Sequence, residues 1–311
     1  MSARQSLDPK NDLVFKMFFG HPDNQEHLIR LLSAILKPPR PIRAVRIQAE
    51  AEPAKNAVDG KEIALDLLVE LEGGELINVE MQTEPRPARR ARALYYWARV
   101  HAGQLLRTQG YVTLRRSVVI WILNFRELEG ERFHSVFRVR EIHDNEELSE
   151  QLEIHFLELP KLDKALKSDE PKLLLWGKFL VASTDSELEQ LAMQDSDLQK
   201  AKAALDRLSQ DPEARALAEM RDRARISYQL DLGKAHEEGI EQGIEKGIER
   251  GIEQGITKGE ASLLKTLLET RFGELPAAVT ERLERATEAQ LTEWAKRVLS
   301  ASSLDAVFAD S

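Results

Sequence analysis

The feature that most constrains this chain is the stretch Ile63 to Gln82, IALDLLVELEGGELINVEMQ, in which two apolar alternations flank a glycine pair. The first sets Ile63, Leu65, Leu67 and Val69 against Ala64, Asp66, Leu68 and Glu70; the second sets Ile77, Val79 and Met81 against Leu76, Asn78, Glu80 and Gln82. A period of two belongs to strands with one face toward a core, so the stretch predicts a β-hairpin. Register then decides where the acids fall. A three-residue loop, Glu72-Gly73-Gly74, with a glycine in the left-handed position, puts Leu71 opposite Glu75 and Asp66 opposite Glu80. The same register pairs Leu65 with Met81, Leu67 with Val79, and Val69 with Ile77. A Gly-Gly turn would instead pair Asp66 with Met81 and mix the two faces, so the apolar pattern selects the longer loop. Two carboxylates then share a face, with Gln82 beside them.

Around the hairpin the order of elements reads helix, strand, hairpin, helix, strand. Pro9 to Gly20 reads as a short helix with Asp12 near its start, Pro22 opens a second helix through Leu36, and a weak strand begins at Arg43. After Pro85 and Pro87 comes a helix of about twenty residues ending near Gly110, and Ser117 to Phe125 reads as a buried strand. Phe133 to Val139 and Leu152 to Leu159 extend the sheet, and the chain turns helical near Asp169. The expected organisation is a core over 1–165, a helical extension over 166–236, a glycine-repeat segment over 237–260 and a small helical domain over 261–311. In the repeat, glycine recurs at 239, 243, 247, 251, 255 and 259. It fits either a helix, losing roughly 0.8 to 1 kcal/mol per glycine against alanine, or a loosely ordered connector. The last domain carries a capping-box pattern at Thr287 and Gln290.

Composition narrows the chemistry. A chain of 311 residues, 42% hydrophobic and 31% charged, belongs to the globular class with room for two or three domains. It contains no run of about eighteen apolar residues and no apolar leader core, so neither a membrane span nor secretion is expected, and a cytoplasmic protein is. With zero cysteines, any metal must bind oxygen or imidazole, and the seven histidines show no ligand spacing. Adjacent carboxylates suit a hard divalent cation, Mg2+ with Mn2+ as substitute, which takes oxygen ligands together with phosphate oxygens. Asp66 and Glu80 are its expected ligands, and Gln82 is placed to position a water. An acid pair on a hairpin also fits a plainly solvated face, and the next helix argues against that.

From Glu84 to Arg116 there are eight arginines and one acid, a charge of +7 within a chain of -9, which leaves -16 for the remainder. At about 100° per residue, Arg89, Arg92, Tyr96, Arg99 and Arg107 fall within roughly 80° of arc, with Ala91, Leu94, Tyr95, Ala98, Ala102 and Leu105 opposite. This reads as a helix that packs on its apolar side and presents guanidinium groups to the phosphates of a nucleic acid.

These residues together, PKNDLVFKMFFG with Asp12, then Asp66, Glu80 and Gln82, then the arginine and tyrosine helix, resemble the recombination-promoting nuclease and putative transposase family of the PD-(D/E)XK nuclease superfamily. The resemblance implies a restriction-endonuclease-like α/β core, a mixed sheet flanked by helices, followed by an all-helical part. It implies a bacterial, Mg2+-dependent DNA endonuclease. Asp66 looks like the family's metal-binding aspartate and Glu80 like the acid of its E-x-K signature; Gln82 stands where that signature has lysine, in an E-x-Q variant. Asp12 is similar to a further acid near the metal. The alternative is a catalytically inactive nucleic-acid-binding or scaffold protein that retains the fold, and the C-terminal helical part is a candidate surface for self-association.

Overall fold

Strand β4, Ser117–Leu123, has all seven of its residues buried, as expected of an unbroken apolar run covered on both faces. In the computed structural model, which describes residues 6–48, 66–85, 87–105, 108–164 and 170–309, this strand is central to a six-stranded mixed sheet. Strands β3 (Leu76–Gln82) and β6 (Leu152–Glu158) pair parallel to it on either side. Beyond β3 come β2 (Leu67–Leu71) and β1 (Val45–Gln48), and beyond β6 comes β5 (His134–Phe137), all antiparallel to their neighbours.

Alternation along β4 feeds two separate cores. Val118, Ile120 and Ile122, with Ile77, Val79 and Met81 of β3, pack against Val14, Phe15, Phe18 and Phe19 of helix α1 (Asp12–Gly20) and the apolar face of α2 (Gln25–Leu36). The same core takes in α4 (Pro171–Val181), α5 (Asp185–Gln194) and α6 (Ser196–Gln210). On the other face Val119, Trp121 and Leu123 meet Ala93 and Tyr96 of α3 (Arg89–Ala102) together with Ile154 and Phe156. The α3 crossover joining parallel β3 and β4 is therefore the cover of the second face.

The hairpin register is the one that the apolar pattern selects. Leu67 pairs with Val79, Leu68 with Asn78, Val69 with Ile77, and Glu70 with Leu76. Leu71 N donates to Glu75 O at 2.9 Å and Gly74 N to Leu71 O at 2.9 Å, so the loop is Glu72-Gly73-Gly74 with Gly74 at φ +80°. Residues 63–65, and with them the expected pairing of Leu65 with Met81, lie outside the described residues.

Helix α3 differs from expectation in length and in face. It stops at Ala102, because Gln104 turns back to exchange hydrogen bonds with the Arg115 main chain (both 2.9 Å) and so feeds the chain into β4. Its buried residues are Ala93, Tyr96 and Val100, while Leu94 is 56% and Tyr95 40% exposed, which reverses the predicted orientation. The ring of Tyr96 packs 5.7 Å from that of Trp121. Trp121 on the sheet gives the Tyr96 ring an aromatic partner, and arginine stems tolerate its flank.

Chain contacts divide the molecule into Met1–Arg225 and Ile226–Ser311. Helix α7, Pro212–Phe272, runs through this boundary and contains the glycine repeat, so the repeat is helical. Isoleucines 240, 244, 248, 252 and 256 are each about half exposed. In the second unit Leu264 and Leu268 of α7 form a small core with α8 (Ala277–Glu284), α9 (Glu288–Val298) and α10 (Leu304–Phe308). The capping box of Thr287 and Gln290 is present at the start of α9.

Because a side chain at Gly74 must adopt a left-handed backbone, Gly74→Ala is expected to cost about 1–2 kcal/mol. Gly73→Ala, whose added carbon meets nothing closer than 3.7 Å, should be near neutral. Urea unfolding of the two variants checks the register, and equal losses would contradict the turn.

Candidate active site

The register places Asp66, one residue before β2, across from Glu80 in β3, and hydrogen bonds lock the pair. Asp66 N donates to Glu80 Oε1 at 3.2 Å, and Met81 N donates to Asp66 Oδ2 at 3.0 Å. The other anchor is Asn78, two residues before Glu80 on the same strand face, whose Nδ2 donates to Glu80 Oε1 at 2.9 Å. Asn78 and Glu80 are 0% and 1% exposed, and Asn78 Oδ1 has no hydrogen-bond partner among the described residues. Alternation puts Gln82 on the Glu80 face too, half-buried at the carboxyl end of β3, where its main-chain oxygen accepts from Asn124 N at 3.0 Å.

Burial is the main influence on both acids. It pushes Glu80 up to about 8, with the charge of Asp66 adding to the rise, and pushes Asp66 up to about 6, with Asp12 adding. Their hydrogen bonds, Arg92 beside Glu80, and Lys16 and Arg221 beside Asp66 act in the opposite sense. Two oxygen acids that repel each other, Glu80 buried and Asp66 half-buried, next to an unpaired amide oxygen, form a hard donor set that fits a divalent cation. Among the described residues no group of three His, Asp or Glu side chains is arranged to hold a metal, so Asp66 and Glu80 would need water or phosphate oxygens to complete a coordination shell.

Asp12 lies near enough to Asp66 to help raise it but is already occupied. Both of its oxygens accept from Arg221 of α7, Nε lying 2.9 Å from Oδ1 and 3.0 Å from Oδ2, with Nη2 also bonded to Oδ2. The predicted arginine face is largely committed as well. Arg89 and Arg90 both bind Glu127, and Arg89 also lies over the Phe125 ring at 4.8 Å. Arg92 lies over the Trp121 ring at 5.3 Å and the Tyr96 ring at 5.4 Å, and its Nη2 donates to Tyr96 Oη at 2.9 Å. Tyr96, 8% exposed, is thus a support for Arg92 and presents no ring to solvent. Arg99 is exposed, and Arg107 lies outside the described residues.

Sequence reasoning missed Asn78, although it sat in the polar alternation with Glu80, and it missed Arg221 and Glu127, which carry no local signal. The histidines hold no metal cluster among the described residues; His134 and His155 instead pair with each other, Nε2 to Nδ1 at 2.8 Å, and burial drives both down to about 3.

Residues 9–235, which include α1, the whole sheet and the start of α7, match the family model described as PD-(D/E)XK nuclease family transposase. The chain belongs to that family. The match covers well over half of the chain and carries a nuclease-type function with it. No curated protein and no solved structure matches the chain significantly. The mixed sheet with flanking helices is consistent with the family's α/β core, and Asp66 and Glu80 stand in it as neighbouring acids. No helix among the described residues is long and apolar enough to cross a membrane.

The raised acids have a measurable consequence for this family member. The folded-state value for Glu80, about 8, lies above its ordinary 4.5, so the metal-free fold retains a proton that the unfolded chain releases. That stabilisation is full below the ordinary value and is lost as pH rises through the folded one. Glu80→Gln, which keeps the shape without the ionisation, should therefore gain on wild type progressively from about pH 5 to about pH 8 in chelator. The Tm difference should widen across that range, and a constant difference would count against the buried acid.

Proposed function

We propose that this chain is a divalent-metal-dependent DNA endonuclease that hydrolyses phosphodiester bonds. The observation that carries the reading is the meeting of half-buried Asp66 and buried Glu80 beside the carboxyl end of a parallel strand, where α/β sheets open a crevice to ligands. Asp66 and Glu80 would hold Mg2+, or Mn2+ in its place. Such an ion, when bound, lowers the pKa of a water and offsets charge on the phosphodiester.

The chain's own residues set the geometry. Asn78 and the Asp66 amide fix one oxygen of Glu80, and Met81 N fixes one of Asp66, so both carboxylates are held before any ligand arrives. Gln82, on the Glu80 face, offers an amide to orient the attacking water. Arg92, held on Trp121 and Tyr96, places positive charge near Glu80, and exposed Arg99 supplies a contact for backbone phosphate.

The neutral Gln82 favours a second reading, a nucleic-acid-binding protein that keeps the fold without turnover. One experiment separates them. Purified protein should nick supercoiled plasmid with Mg2+, and Asp66→Ala and Glu80→Ala should reduce cutting to background while leaving the circular dichroism spectrum unchanged. DNA binding with no cutting across metals and substrates would favour the second reading, and equal cutting by both variants would sink the first. Mn2+ affinity should rise from about pH 6 to about pH 8 with proton release, because the cation must displace the protons that burial retains.

A further inference from the structure

Asp12, Asp66 and Glu84 all act electrostatically on Arg221, and acids so grouped repel an anionic substrate, while Gln82 brings no charge to offset them. The chain delivers a cation to this place from a helix 209 residues away in sequence from Asp12. Asn11 builds the junction. Its Oδ1 caps α1 by accepting from Leu13 N at 3.0 Å and Val14 N at 3.2 Å. Its Nδ2 donates to Ala218 O at 3.3 Å and to Asp222 Oδ1 at 3.1 Å in α7. One buried asparagine therefore fixes the start of α1 against α7 just where Arg221 projects, and Ala214 and Ala218 of α7 are buried in the main core. One helical turn on, Arg225 lies 3.7 Å from Glu84.

Arg221 itself is held firmly yet remains reachable. Asp12 grips it through Nε and Nη2, using one edge of a guanidinium that carries five N–H donors in a planar fork. Its side chain is 46% exposed, against 24% for Asp12. The attraction of Asp12, with Asp66 and Glu84 behind it, raises its pKa further and keeps it charged. Arg92, the arginine beside Glu80, is committed to Tyr96 and stacked on Trp121.

We propose that Arg221 is the substrate-binding cation of the site, receiving a non-bridging oxygen of the scissile phosphate, and that Asp12 is the positioning residue that aims it and is not a metal ligand. This inference rests on the endonuclease reading above. It assigns an anion contact beside Asp66 to α7, so the first part of that helix is a wall of the site as well as packing material.

The test uses the full-length chain, Mg2+-dependent plasmid cutting, and Mn2+ binding by calorimetry. Arg221→Gln is expected to lower kcat by about 10²–10³-fold, the loss typical of removing one preorganised charge-stabilising donor, with Mn2+ still bound and the circular dichroism spectrum unchanged. Arg221→Lys should recover part of the rate, and Gln82→Lys placed in the Arg221→Gln chain should recover part of it too, by returning a cation to the Glu80 face. Asp12→Asn should raise KM and lower kcat while Mn2+ affinity stays at the wild-type value. Wild-type cutting by Arg221→Gln overturns the inference and leaves the endonuclease reading standing. Faster cutting, or cutting at lower Mg2+, overturns it by making Arg221 a blocking counter-ion. A fall of about 10-fold or more in Mn2+ affinity for Asp12→Asn makes Asp12 a ligand and overturns its assigned role. If wild type fails to cut, the endonuclease reading fails first and the inference with it.

Discussion

The constraint on which the rest of the structure depends is the burial of two carboxylates side by side. Glu80 is removed from water, Asp66 is half-buried beside it, and the two repel each other, so the fold must hold them by means other than their own attraction. Three hydrogen bonds do so, from the amides of Asp66 and Met81 and the side chain of Asn78. None of these neutralises the pair. A core arranged only for stability would have apolar residues there, and the acids persist because the surroundings over-determine their placement.

That over-determination comes from the sheet. Each residue of β4 is buried, and its two sides anchor two distinct cores, so β3 is pinned in parallel register beside it with Glu80 level with Trp121. Trp121 then carries Arg92 over its ring, and Arg92 brings positive charge toward Glu80. A chain of ordinary packing contacts thus ends in electrostatic support for the site. On the other side of the acids, Asn11 joins α1 to α7 and sets Arg221 on Asp12. Each acid thus has an arginine of different origin near it, Arg92 from the crossover helix at Glu80 and Arg221 from the far helical extension at Asp66.

The start of α3 is tied down by a second buried network. Glu158 accepts from Glu127 N and Leu128 N at 2.6 and 3.1 Å, and Lys161 Nζ bonds Glu158 at 2.6 Å and Leu128 O at 2.8 Å. The loop thus held presents Glu127 to Arg89 and Arg90. Breaking a fully buried pair such as Glu158 and Lys161 leaves an uncompensated charge, so the loop carrying Glu127 is firmly anchored. Arginines that look like a free basic stripe in sequence are, at this end, structural.

Much of the fold was legible. The hairpin register followed from period-two alternation and the glycine loop, because slipping by one residue would turn every apolar side chain out of the core. The strands at 117–123, 134–137 and 152–158 and the acid pair followed from the same local rule. The face of α3 did not, since alanines fit either side and the decision belonged to Trp121, a partner on another element. Whether the glycine repeat forms a helix was likewise undecided by propensity and settled by its continuity with α7. The local sequence dictated the strands, the hairpin register and the meeting of Asp66 with Glu80, because these rest on short-range periodicity, while the strand order and the parallel pairings on either side of β4 came from the fold. Only the tertiary structure decided which cations stand against those acids, because Arg221 meets Asp12 across 209 residues of chain and nothing local to either encodes the contact.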